Sequence, residues 1–131
     1  MSDANAIKSH KDLNVWQSAM LLAERLYRDT AVFPREEIYG MTSQIRRAGV
    51  SIAANIAEGF GRSQTTQFIQ FLRISQGSAQ ELDTHLILAG RLGLLTPQVT
   101  GDLQEECQRV SKMLRGLIRS LETKASENPR R

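Results

Sequence analysis

Apolar side chains recur along this chain at alternating spacings of three and four, the mark of helices that each bury one face. Val15, Ala19, Leu22 and Leu26 form the first such line. Trp16, Met20, Ala23 and Tyr27 form a second line one residue on, so this helix has two apolar sides to cover. Its start is expected at Asp12 or Asn14, with Gln17 at capping-box distance from Asn14. Phe33-Pro34 ends it, because the residue before proline is pushed out of the α region. After a turn from Pro34 to Tyr39, Met41, Ile45, Ala48, Ile52 and Ile56 predict a second helix. Gly59 and Gly61 close it, glycine supplying the left-handed residue that ends helices. A third helix, capped by Ser63 or Thr65, carries Phe68, Phe71, Leu72, Ser75, Ala79, Leu82, Leu86 and Ala89 and stops at Gly93. Thr96 with Pro97 opens the fourth, where Leu103, Cys107, Val110, Leu114, Leu117 and Leu121 make one stripe. Apart from very short apolar clusters, nothing reads as a strand.

Short connections between long helices make sequential neighbours antiparallel. The predicted fold is all-α, an antiparallel up-down-up-down four-helix bundle forming a single domain over residues 12–123. Residues 1–11 are expected to be a flexible N-terminal tail. Beyond Leu121 the chain turns polar and ends in Glu-Asn-Pro-Arg-Arg, so residues 124–131 are expected to fray.

A length of 131 residues suits one domain rather than two. The single cysteine, Cys107, excludes an internal disulfide, and with His10 and His85 it builds no zinc-ligand spacing. It lies on the apolar stripe and reads as a small hydrophobe. No Glu-x-x-His pair is present to make the di-iron site that bundles often host. The chain is therefore expected to be non-enzymatic, with no cofactor and no metal. No apolar run approaches the roughly 18 residues of a membrane span, and the start lacks a basic segment followed by an apolar one. These features predict a cytoplasmic protein without a membrane partner.

Charge adds the first functional hint. Lys and Arg number 17 against 14 Asp and Glu, a net +3 with pI near 9.4, so polyanions are plausible partners. The fourth helix carries Arg109, Lys112, Arg115 and Arg119. At helical spacing, Lys112, Arg115 and Arg119 fall within a sector of about 60°, turned about 150° from the leucine stripe. Glu105, Glu106 and Glu122 share the helix but lie toward its ends, leaving the middle positive. Two readings stay open, a solvated face and a phosphate-binding strip. No aromatic residues interleave with these cations to stack bases.

The second helix has two further faces. Gly49, Ala53 and Ala57 recur every four residues and permit close approach of another backbone. Gln44, Arg47, Ser51, Asn55 and Glu58 repeat at core-like spacings in polar residues, read either as a solvated face or as a polar seam buried at a subunit contact. Gly59-Phe60-Gly61-Arg62 lacks the lysine and preceding strand of a phosphate loop and reads as a helix cap, with Arg62 kept as a possible phosphate contact.

Five stretches stand together in one order: Leu13 to Gln17; Phe33-Pro34 with Glu37 to Gly40; Gln44 to Ala48; Asn55 to Arg62; and Phe71 to Ser78 followed by Glu81. Over roughly residues 11 to 121 the chain resembles the bacterial four-helix-bundle family of 23S rRNA intervening-sequence proteins. The resemblance implies a homopentameric up-down bundle, encoded within insertions in large-subunit ribosomal RNA genes and without established enzymatic activity. A related branch implies a second context, the accessory variability protein of diversity-generating retroelements, a basic pentamer that partners a reverse transcriptase and nucleic acid. By position, Gln44, Arg46, Arg47, Asn55, Glu58, Arg62, Ser78 and Glu81 match the family's polar signature. Ala53 stands where many relatives carry proline, and Leu94 where a tyrosine is common. The expected function is nucleic-acid binding, to structured RNA or a nucleoprotein, through exposed basic residues of an oligomer. The alternative is a structural or adaptor ring that binds a protein such as a reverse transcriptase.

Overall fold

Each of the four apolar stripes finds its cover on two neighbours. The protein's structure, a computed structural model, describes residues 7–127. Its helices are α1 (Asn14–Thr30), α2 (Met41–Phe60), α3 (Thr65–Arg91) and α4 (Pro97–Glu127). Helix α1 packs on α2 and α4, and α3 packs on the same two, so the four surround one core. At its centre Leu22, Leu26, Ile45, Ile52, Ile56, Leu72, Leu82, Leu86, Leu103 and Leu114 are almost wholly removed from solvent. Burying one such side chain stabilises the fold by about 1.5–3 kcal/mol, which makes this core the main driving force.

Cross-helix contacts fix the directions. Arg46 of α2 reaches Thr30 of α1, while Gly49 lies against Leu26. Ser51 of α2 meets Ser78 of α3, and Gly59 meets Phe71 and Phe68. Arg73 of α3 pairs with Glu122 of α4, and Ala79 with Cys107. In each case rising numbers on one helix meet falling numbers on the next, so consecutive helices run antiparallel.

The helix ends depart from the sequence expectations in several places. Leu13, which has no capping side chain, precedes α1, and Asn14 is already its first residue. The capping box belongs instead to a short 3-10 turn, His10–Asp12, where Ser9 caps and Asp12 answers. The Asp12 carboxylate accepts bonds from the backbone amides of Lys8 and Ser9, which hold its pKa below the usual value. Gln17 donates to the Lys11 carbonyl at 2.8 Å. Residues 8–11 are thus tied to the start of α1 rather than forming a free tail; residues 1–6 lie outside the described residues. Helix α1 ends at Thr30, earlier than Phe33, and Thr30 returns its hydroxyl to the Leu26 carbonyl at 2.7 Å.

Gly61 ends α2 with φ of −74°, so neither it nor the helical Gly59 supplies a left-handed residue. That role occurs at Gly93, φ +78°. There the Leu94 amide donates to the Ala89 carbonyl and the Gly93 amide to that of Gly90, the paired bonds of a Schellman motif. Gln64, without a side-chain bond, precedes α3 in place of a Ser63 or Thr65 cap. Thr96 does cap α4, accepting from the Val99 amide at 3.2 Å. Helix α4 continues through Glu127, so residues 124–127 extend it rather than fray; residues 128–131 lie outside the described residues. No helix among the described residues is long and apolar enough to cross a membrane.

Candidate nucleic-acid interface

The leucine stripe of α4 turns inward against α1 and α3, and this rotation sends the helix's cations outward. Lys112, Arg115 and Arg119 are exposed and make no ion pair among the described residues. Arg109, also exposed, is engaged by the Glu106 carboxylate at 3.0 and 3.1 Å. From Cys107 to Leu121 the helix carries no acid of its own, and the nearest carboxylates are those toward its ends and Asp83 of α3, which borders the same groove as Lys112 and Arg115. Toward the start lie Asp102 and Glu105, and toward the finish Glu122, which is paired with Arg73.

These cations border a groove between α3 and α4. One section, about 620 Å³, is lined by Gln80, Asp83, Ser111, Lys112 and Arg115 among others. A second, about 350 Å³, shares Gln80, Ser111 and Arg115 and adds Gln76 and Gly77. Beyond it, a shallow depression of about 450 Å³ runs over Gly116, Arg119, Ser120, Thr123, Lys124 and Glu127. The α3 contribution to this surface is missing from the sequence reading. Its signal was Gly77, a glycine in mid-helix, together with Gln76 and Gln80 on either side.

Arg62 lies elsewhere, at the turn between α2 and α3. Its guanidinium binds Glu58 at 2.8 Å and stacks over the Phe71 ring at 4.8 Å. The polar signature likewise divides. Ser51, Asn55 and Ser78 join in one network across α2 and α3: the Ser51 and Ser78 hydroxyls lie 2.8 Å apart, and Asn55 Nδ2 donates to Ser51 Oγ at 3.0 Å. Gln44, Arg47 and Glu58 are exposed on the same side of α2. Glu81 faces His85 at 3.4 Å one turn along α3. Arg46 faces the other way, donating to Thr30 Oγ1 at 2.9 Å and to the Tyr27 carbonyl at 3.2 Å while stacking on the Tyr27 ring. It binds α2 to the end of α1.

The second apolar line of α1 also has a counterpart. With Val50, Ala54 and Ala57 of α2, Trp16, Met20 and Tyr27 line an open groove of about 640 Å³. Val50 and Tyr27 remain 43% and 47% exposed, so much of this apolar surface faces solvent. Among the described residues no group of three or more His, Cys, Asp and Glu is placed to hold a metal ion. Cys107 is buried with its thiol on the Ala79 carbonyl at 3.3 Å, and burial, aided by the charge of Asp83, pushes its pKa up to about 12. A neutral thiol packed this way is a poor nucleophile.

The family model described as 23S rRNA-intervening sequence protein matches residues 11–116. Among solved structures the chain is similar to a crystal structure of a protein with unknown function from the S23 ribosomal protein family of Bacteroides thetaiotaomicron. The two are 26% identical with a TM-score of 0.75, over 80% of this chain and 95% of that one. No curated protein matches the chain.

Proposed function

The chain belongs to the 23S rRNA-intervening sequence protein family, and on that premise we propose that it is a non-enzymatic, oligomeric bundle that binds nucleic acid through the outer face of α4. The observation that carries this reading is the unpaired trio Lys112, Arg115 and Arg119 on an acid-free stretch of exposed helix beside a polar groove. Ionised side chains without local partners attract phosphates and release the counterions condensed on them. No aromatic side chain lines the two groove sections, so contact with phosphate and sugar, rather than with stacked bases, fits this surface. The family's description, 23S rRNA-intervening sequence protein, supports structured RNA as the partner.

Oligomerisation enters through the groove of α1 and α2, whose exposed apolar lining favours association of copies into a ring, a pentamer by family resemblance. A ring repeats the α4 strip and multiplies its hold on one extended polyanion. The same groove favours a second reading, an adaptor ring that engages a protein such as a reverse transcriptase.

Anisotropy with a labelled RNA hairpin, a duplex DNA and a single strand over a salt series tests the proposal, with mass measured in solution alongside. Replacing Lys112, Arg115 and Arg119 with glutamate should weaken binding to all three and flatten the salt dependence, each lost phosphate contact removing about 0.9 from the slope for duplex DNA. Helicity and mass should stay as in the parent. No binding to any of the three near 50 mM salt, a regime in which such contacts are strong, ends the nucleic-acid reading.

A further inference from the structure

Helix-interior glycine is destabilising relative to alanine, so its presence calls for a reason. Gly59, Gly49 and Gly90 have one: an added Cβ would lie 3.0 Å or less from a side-chain atom of a neighbouring helix. Gly77 in α3 and Gly101 and Gly116 in α4 do not. A Cβ at any of the three meets nothing within 4 Å, so nothing inside the subunit excludes a side chain there. Of these, Gly77 and Gly116 border the cations. Gly77 shares a groove section with Arg115, and Gly116 shares the next depression with Arg119. On α4, Lys112 stands one turn before Gly116 and Ser120 one turn after it, on the same side of the helix. The three cations thus run between two gaps in the side-chain surface, with the hydroxyls of Ser111 and Ser120 and the amides of Gln76 and Gln80 beside them.

Resting on the nucleic-acid reading above, we propose that these gaps are phosphate seats: a nucleic-acid backbone lies along α4 in direct contact with the helices, entering where Gly77 and Gly116 leave no side chain. Arg115 closes on the phosphate at Gly77; Lys112 and Arg119 close on the one at Gly116. Charge alone would hold a polyanion at the tips of long, mobile side chains and would need no glycine. Contact at the helix surface shortens the reach of each guanidinium and brings hydroxyl and amide donors within range of phosphate and sugar oxygens. At Gly77 the lining is mostly polar, unlike the apolar surface that a partner helix requires.

The seat is separable from the charge by substitutions that keep every cation. Gly77→Ala, Gly116→Ala and Gly116→Leu should raise the melting temperature or leave it unchanged, since each adds helix propensity in open space. The same changes should weaken binding to a labelled RNA hairpin and a duplex DNA, and Gly116→Leu should do so by about tenfold, the equivalent of one displaced contact. Gly101→Ala is the control: it sits on α4 with nothing within 4 Å of an added Cβ and does not border the grooves, so affinity should not change. If Gly77 and Gly116 variants bind like the parent while the triple glutamate variant does not, the seats are overturned and the charge reading stands. If Gly116→Leu alters the mass of the assembly rather than affinity, the gap is an intersubunit contact and the inference falls. A parent that binds neither probe removes the charge reading and the seats together.

Discussion

Gly59→Ala should destabilise the bundle although alanine is the better helix former. A Cβ at position 59 would lie 2.6 Å from Phe71 Cβ, 3.0 Å from Phe68 Cδ1 and 3.3 Å from the Phe68 carbonyl oxygen. Carbon atoms in contact sit about 3.5–4.0 Å apart, so the first two turns of α3 must retreat by about 1 Å. No rotamer of Phe71 relieves this, because its Cβ is fixed to the backbone. The retreat would also disturb the edge-to-face pair of Phe60 and Phe68 and the stacking of Arg62 on Phe71. Overpacking of this kind costs about 1–3 kcal/mol. Removing a helical glycine returns at most about 1 kcal/mol. The net loss, up to about 2 kcal/mol, corresponds to a fall in melting temperature of up to roughly 8 °C for a domain of this size. Thermal and urea denaturation followed by circular dichroism measure it, with Gly101→Ala as the control expected to rise. Gly49→Ala offers a ranking. There the closest atom, Leu26 Cδ1 at 2.4 Å, is nearer still, yet it is the free end of a side chain and yields more readily. Gly59→Ala should therefore be the worse of the two. A Gly59→Ala variant that melts at or above the parent refutes the close-approach argument, and an inverted ranking refutes the distinction between fixed and yielding neighbours.

The Ser51 and Ser78 hydroxyls share one bond, so Ser51→Ala and Ser78→Ala should each cost about 0.5–1.5 kcal/mol, with the double variant costing less than their sum; strict additivity in urea melts would show that the pair is not coupled. Arg46→Lys keeps the charge but cannot reproduce the fork onto Thr30 and Tyr27, and should lower stability by about 1 kcal/mol while leaving nucleic-acid affinity as it was. Cys107 should resist alkylation in the native protein at pH 8 and react fully once denaturant is added. Because its thiol titrates near 12 in the fold and near 9.0 otherwise, the unfolded chain loses its proton first. Stability should accordingly decline as pH rises above about 9, and Cys107→Ala should remove that part of the decline.

The four helices were legible because burial repeats. A stripe such as Leu103 to Leu121 is written by the need to keep one face dry, and every complete turn restates it. Helix ends carry no such redundancy. Asn14 and Gln17 satisfy the spacing of a capping box, but the box forms at Ser9 and Asp12, five residues earlier, because a 3-10 turn precedes the helix. Gly59 and Gly61 looked like left-handed stops for the same reason that Gly93 is one. Only the neighbour decides between them: at Gly59 the phenylalanines of α3 press close, while at Gly93 an added Cβ has open space and the backbone turns.

The α4 strip could be read one helix at a time, since Lys112, Arg115 and Arg119 share a face by their own numbering. What lies opposite could not. Gly77 is 38 positions before Arg115, and only the antiparallel packing of α3 on α4 brings the two to one groove. The polar signature shows the converse. Arg46 and Arg47 are adjacent and both match it, yet a step of about 100° around the helix sends one against α1 and leaves the other in solvent. Arg62 is likewise occupied by Glu58 and Phe71, while Arg115 is not. A cation's availability depends on which carboxylates and rings the fold brings within reach, and that pairing is a property of packing rather than of composition. This is why a modest net charge of +3 is compatible with a concentrated positive face: from Cys107 to Leu121 α4 has no acid of its own.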